Sequence, residues 1–273
     1  MIRLAKTNLG LLFVARKSIA ILRRLLFSRI DAMADFKTHI STSTAIGVGY
    51  GVAGYLGLDA PITTCVLAGG LCSVAGMLPD LDSDTGVPVR ETMSFAAAVV
   101  PMLMMDRFSH LGWSHEMMVV VGGALYLAIR FGLAEIFKRY TVHRGMWHSI
   151  PAAAVAGLLA FLVCSCDDML LRSYKAIAVV VGFLSHLVLD ELWSIDIQRG
   201  RLRFKKSFGT ALKFWSGSTW ANISTYAKLL ILAGIAFYDP IAMKQFAEHR
   251  RNVERTAREL LNETHEHAEH LLR

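Results

Sequence analysis

Residues 175–193 read KAIAVVVGFLSHLVLDELW, an apolar run interrupted near its end by a histidine and an aspartate, His186 and Asp190. A helix needs roughly 20 mostly apolar residues to cross the hydrocarbon core of a bilayer. Ionisable groups inside such a run are costly and mark function more often than structure. Four residues apart, His186 and Asp190 share one helical face and can hold one ion together.

Working outward, comparable blocks occupy 42–58, 62–78, 117–134, 150–166 and 223–238, with a weaker one at 93–105 that reads as a short span or a re-entrant piece. Over 273 residues, 54% hydrophobic content, 19% charged content and a mean hydropathy of +0.43 leave more apolar surface than a soluble domain buries. Lipid satisfies no free backbone group, so the blocks are expected to be helices. The expected fold is all-α, a multi-pass transmembrane bundle of about six or seven spans with amphipathic helices at the N- and C-termini.

The net charge of +7 raises the question of nucleic acid. Lys and Arg are distributed by loop, however, not along one aromatic-studded face, so no direct nucleic-acid partner is expected. The stretches before 42, at 79–92, 135–149 and 194–222 hold 18 Lys and Arg, whereas the opposite short loops hold Arg107, Arg172 and Lys175. The positive-inside rule places the first group in the cytoplasm. Lys228 interrupts the last span, and six more Lys and Arg follow it, which leaves the side of the tail open. Cys65 and Cys72 lie within one span and Cys164 and Cys166 at the end of another, with no disulfide framework.

Three regions are expected. Residues 1–32 form a basic segment without an acid before Asp31, read as a surface-lying helix or an organelle transit peptide, with Met33 as an alternative natural start. Residues 33–240 form the membrane-embedded domain. Residues 241–273 read as a charged, solvated helix with Phe246, Val253, Leu260 and Leu261 on a loose stripe, suited to a protein partner or a membrane surface. His265, His267 and His270 at its end read as a solvated histidine-rich terminus, outside the site.

Four polar clusters interrupt the apolar sequence: Thr38-His39, PDLDSD at 79–84, HRGMWHS at 143–149 and SHLVLDE at 185–191. The topology set by Lys and Arg brings all four to one side, although the clusters themselves are defined by His and Asp. Pro79 favours an extended segment in which Asp80 and Asp82 project together. Gly145 permits a turn, Ser149 suits an N-cap and Pro151 a first helical turn, so His143 falls in the loop and His148 at the helix mouth. His110 and His115 repeat the spacing of His143 and His148, yet fall on the far side if 93–105 crosses.

The candidate metal ligands are His39, Asp80, Asp82, His143, His148, His186 and Asp190. Imidazole mixed with carboxylate, without thiolate, suits zinc first, with manganese or iron as alternatives, in an open site. Seven candidates exceed one tetrahedral shell and fit two ions, or one ion with a surrounding shell. Taken singly, most of these residues read more readily as structural, Asp80 and Asp82 as a solvated turn, His39 as an interfacial residue and Ser149 as a plain cap. Together they point to attack by metal-activated water on an ester or phosphoester, with Arg144 binding phosphate and Asp84 or Glu191 as base.

At these clusters the chain resembles the YdjM-like family, described as LexA-binding, inner-membrane-associated metal-dependent hydrolases. The resemblance rests on His39, PDLD at 79–82, HRGMWHS at 143–149 and SHLVLD at 185–190, and spans roughly residues 35–195. It implies a bacterial inner-membrane protein. The chain departs from the pattern in a long insertion between Asp84 and His143, and in Ser83 where many relatives have His.

The expectation is therefore a membrane-embedded metal-dependent hydrolase at the cytoplasmic face, acting on a lipid-like or phosphorylated substrate among membrane lipids. The alternative is a non-enzymatic metal carrier or regulatory scaffold. No P-loop, G-x-S-x-G or C-x-x-C occurs, so nucleotide, serine-hydrolase and redox classes drop out.

Overall fold

A computed structural model describes residues 36–82, 86–133, 135, 145–164, 166, 168–198, 201–204 and 209–272, with the backbone alone for residues 82, 86–88, 195–198, 201–204, 241 and 263–272. The basic segment 1–32 lies outside the described residues, as do Asp84, His143 and Arg144.

The apolar blocks form α1 (Phe36–Gly57), α2 (Ile62–Ala75), α3 (Gly86–Leu103), α5 (His115–Leu127), α6 (Ile150–Val163), α7 (Met169–Trp193) and α8 (Thr219–Phe237). Between them lie a 3₁₀ turn at Pro79–Asp82 and the short α4 (Met105–His110), while α5 continues as a π-helical turn through Ala128–Leu133. The charged tail is one long helix, α9 (Pro240–Leu272). Its Phe246, Val253, Leu260 and Leu261 are exposed, and Ala233–Arg273 forms a compact unit of its own.

Among the described residues the fold is thus helical, as the apolar periodicity predicts, with one exception. β1 (Ile195–Gln198) and β2 (Arg201–Phe204) pair antiparallel, Ile195 opposite Phe204 and Gln198 opposite Arg201. The signal was in the sequence: apolar residues alternate with polar ones in IDIQ and RLRF on either side of Arg199-Gly200.

Among the described residues, His115–Leu133, Met169–Trp193 and Thr219–Phe237 are long and apolar enough to cross a membrane, and Ile62–Ala75 and Ile150–Val163 are apolar but shorter. α8 buries no residue, and Leu230, Ile231 and Phe237 are exposed, as are Val119 and Val120 on α5. Bare apolar faces of this size do not suit water. The weaker block at 93–105 lies mostly within α3, which carries Pro101.

α7 is the centre of the larger unit and packs against α1, α2 and α6. Lipid supplies no hydrophobic drive between helices, so small residues that allow close approach take over that role. Gly182 of α7 lies against α2, where a Cβ would collide with the Cys72 carbonyl and press on Ala75. Gly47 and Gly69 meet in the same way across α1 and α2. Ala75, Ala152, Ala153, Val179, Phe183 and Leu187 fill the seam among α2, α6 and α7.

At the end where α7 begins, Tyr50 and Tyr174 stack at 4.6 Å, and each hydroxyl donates to the other's backbone carbonyl at 2.8 and 2.9 Å. There too the last carbonyls of α6 meet cations. Buried Arg172 donates to Phe161 O at 2.7 Å and Arg107 to Leu162 O at 3.0 Å. A helix C-terminus carries partial negative charge, which these guanidiniums complement.

Gly182→Ala should therefore cost about 1–3 kcal/mol, the range for overpacking a tight core. Gly234→Ala on α8, where a Cβ meets nothing within 4 Å, should be neutral or slightly stabilising. Thermal unfolding of the two variants in detergent checks the contrast, and equal melting temperatures would contradict the close α2–α7 contact.

Candidate metal centre

Two loops and two helix termini position the cluster. His39 lies in the first turn of α1, and Asp80 in the turn just beyond α2. His148 immediately precedes the N-cap of α6, and His186 and Asp190 occupy the last two turns of α7. Antiparallel packing brings these points to one end.

The approach to α6 forms as the residue types dictate. Ser149 accepts from Ala152 N at 3.3 Å as N-cap, and Pro151 occupies the first turn. His148 N closes a turn on Gly145 O at 3.1 Å. Trp147 Nε1 donates to Leu78 O at 2.7 Å, tying this loop to the one beyond α2. The PDLD segment, expected to be extended, is a 3₁₀ turn instead, with Asp80 N bonded to Met77 O and Leu81 N to Leu78 O. Buried Leu81 anchors the turn among Val89, Met93, Ala97 and Ile129. The period-two pairing of Asp80 with Asp82 therefore does not apply; Asp82 is described by its backbone alone.

The structure brings together His39, Asp80, His148, His186 and Asp190. His39 Nε2 is 3.3 Å from Asp190 Oδ1. His186 Nε2 is 3.5 Å from Asp80 Oδ1 and 3.6 Å from Asp190 Oδ2. His148 Nε2 is 3.8 Å from Asp80 Oδ1 and 3.9 Å from Asp190 Oδ2. The His39 and His186 rings stack at 3.7 Å, and the His148 ring stands edge-on to His186 at 5.6 Å. Two sets of ligand atoms each fall within 4.8 Å of one another: His39, Asp80 and His186, and His148, His186 and Asp190. All three imidazoles are buried, while Asp80 and Asp190 keep 22% and 17% side-chain exposure, so the carboxylates form the open side.

One hydrogen bond sets the orientation of the central ring. His186 Nδ1 lies 2.7 Å from the carbonyl of Gly76. A carbonyl only accepts, so Nδ1 carries the proton and donates it. In the neutral ring Nε2 then carries the lone pair, and it is buried with no hydrogen-bond partner, facing two carboxylate oxygens. Lone pairs aimed at one another in a buried place repel unless positive charge, either a proton on Nε2 or a metal ion, lies between them. His39 Nδ1 is likewise buried without a hydrogen bond. A ligating histidine that donates its other N–H to a carbonyl is the usual support of a metal site. The donor set of three imidazoles and two carboxylates fits zinc, manganese or iron.

Of the remaining candidates, Glu191 is placed away from the cluster. Glu191 points its carboxylate at the chain beyond the hairpin and accepts from the backbone N–H groups of Gly209 and, at 3.4 Å, Ala211. The adjoining Lys213 carbonyl takes Ile150 N at 3.1 Å, so this segment laces the end of α7 to the start of α6. Asp84, His143 and Arg144 lie outside the described residues. Among the described residues, His110 and His115 belong to neither ligand group. The side chains of His265, His267 and His270 are not described. The Gly76 carbonyl carried no sequence signal, since any residue supplies one, and only packing places it against His186.

Residues 33–246 match the family described as YdjM inner membrane protein, and the chain belongs to that family. No curated protein and no solved structure matches it.

Glu191→Ala should loosen the 209–211 segment. A hydrogen bond to a charged group is worth about 1.5–3 kcal/mol, so amide exchange at Gly209 and Ala211 should quicken by about tenfold or more. Glu191→Gln, which keeps an accepting oxygen, should do less. Hydrogen-exchange mass spectrometry reads both, and unchanged exchange in Glu191→Ala would remove this role.

Proposed function

We propose that the protein is a multi-pass, membrane-embedded metal-dependent hydrolase of the bacterial inner membrane. Its His/Asp centre faces the cytoplasm and acts on an ester or phosphoester of a lipid-like substrate. The observation that carries the reading is the buried His186 Nε2, turned by Gly76 toward the carboxylates of Asp80 and Asp190.

His39, His148, His186, Asp80 and Asp190 would hold one or two divalent ions. Such an ion supplies Lewis acidity toward the scissile oxygen and an acidified water at neutral pH. The chain's own contribution is positional. Buried imidazoles keep bulk water from the inner side, and the partly exposed Asp80 and Asp190 leave one approach for substrate. Arg144, next to His143, is the proposed anion-binding residue and Asp84 the proposed base; Glu191 holds the 209–211 segment.

About six or seven spans would place the four clusters together on the side richest in Lys and Arg. A second reading, a non-enzymatic metal carrier or regulatory scaffold, draws support from the exposed stripe of Phe246, Val253 and Leu260 on α9, which suits a protein partner.

Elemental analysis of purified protein should find one or two equivalents of zinc, manganese or iron. His186→Ala and Asp190→Ala should lower affinity by at least about tenfold, the scale set by loss of even a supporting group. Equal metal in wild type and both variants would sink the metal centre. Metal-loaded protein that hydrolyses no ester, phosphoester or lipid in a broad screen would leave the carrier or scaffold reading.

A further inference from the structure

Beside the cluster runs a cavity of about 220 Å³ between α3 and α6, floored by α2 and α7. It begins at Leu78, Leu81 and Trp147 and reaches Val163 and Cys164 at the far end of α6. Leu78 and Leu81 flank Pro79-Asp80, Trp147 adjoins His148, and the Trp147 indole bonds Leu78 O. The cavity lining therefore comes within one residue, along the chain, of two members of the candidate metal centre. On α3 its wall runs from Thr92 to Leu103, about 16 Å at the helical rise per residue.

The wall is Leu, Met, Ala, Val and Trp apart from Cys164 at its far end and one hydroxyl, Thr92. Thr92 is 1% exposed, and its Oγ1 is buried without a hydrogen-bond partner. A helical threonine normally returns its proton to the carbonyl four residues back or to water. A buried donor left unpaired costs about 1–3 kcal/mol. Water is a poor remedy, because it needs two to four polar partners and this wall offers one. A helix about 10 Å across does not enter so small a space.

We propose that this cavity takes one hydrocarbon chain of a membrane lipid. The ester or amide carbonyl at the head of that chain accepts from Thr92 Oγ1 after the buried side chain turns about χ1 toward the cavity, and the polar headgroup reaches the His/Asp centre. The role given to the headgroup rests on the hydrolase reading; the chain-binding cavity does not. Thr92 lies early in α3, one helix start beyond Asp80, which places the polar linkage at the cluster end and the chain terminus toward Cys164.

The test uses full-length protein reconstituted with phosphatidylglycerol bearing a diazirine at the end of one acyl chain. Illumination should label Leu103, Val163 or Cys164 above the lipid-facing Val119 and Val120. Ala160→Trp, which fills the cavity, should cut that labelling by about tenfold without changing Val119 and Val120, and Thr92→Val by several-fold, the loss of about one hydrogen bond. Excess unlabelled phosphatidylglycerol should compete, whereas competition by palmitate alone would overturn the intact-lipid assignment. Deep labelling no higher than on α5, or unmoved by both substitutions, would overturn the cavity itself. Should Ala160→Trp fail to fold, the wild-type labelling positions and Thr92→Val decide. Metal content on the same samples separates the two readings: deep labelling in metal-free wild type removes the hydrolase alone, and full metal without deep labelling removes the chain-binding cavity alone.

Discussion

The hydrogen bond from His186 Nδ1 to the Gly76 carbonyl joins the end of α7 to the end of α2, and the polar end of the bundle is organised around it. It fixes the tautomer of a buried ring and turns the other nitrogen toward Asp80 and Asp190. It also stations the His186 ring where His39 stacks on one face and His148 meets it edge-on. The bond requires α2 and α7 to approach closely, and that approach rests on Gly182, whose missing side chain leaves room for the Cys72 carbonyl. Backbone contact in the apolar middle thereby sets donor geometry at the end.

Polar groups are distributed accordingly. Ionisable side chains at membrane depth are tolerated where they pair with one another or with backbone carbonyls. The cluster does the first at one end of α6 and α7. Arg107 and Arg172 do the second at the other, on the carbonyls that close α6. Between the two ends the contacts are mainly alanine, glycine, valine, leucine, phenylalanine and cysteine.

Much of this was legible in the sequence because the constraints are one-dimensional. Apolar blocks became helices because lipid leaves the backbone no other partner. The Ser149 cap and Pro151 in the first turn follow from local chemistry, and His186 with Asp190 from helical period. Two features escaped. The PDLD segment closes as a 3₁₀ turn because Leu81 is drawn into an apolar pocket, a tertiary pull that overrides the extended preference after Pro79. The β1–β2 pairing escaped because stretches as short as IDIQ and RLRF give little alternating signal between two long apolar runs. Glu191 shows a different limit. A carboxylate beside a metal motif and one that ties down a loop look alike until the amides of Gly209 and Ala211 are placed.

The tyrosine pair at the far end has a consequence for the near one. From His39 to Tyr50 on α1 is eleven residues and from Tyr174 to His186 on α7 is twelve, so two stacked ring pairs brace the same antiparallel helices about 17 Å apart. Each tyrosine grips a carbonyl of the opposite helix, and a slip of one helix by a single residue would release both grips at once. The pair acts as a gauge block: it fixes the axial offset of α1 against α7, and with it the face-to-face seating of His39 on His186, without approaching either ring.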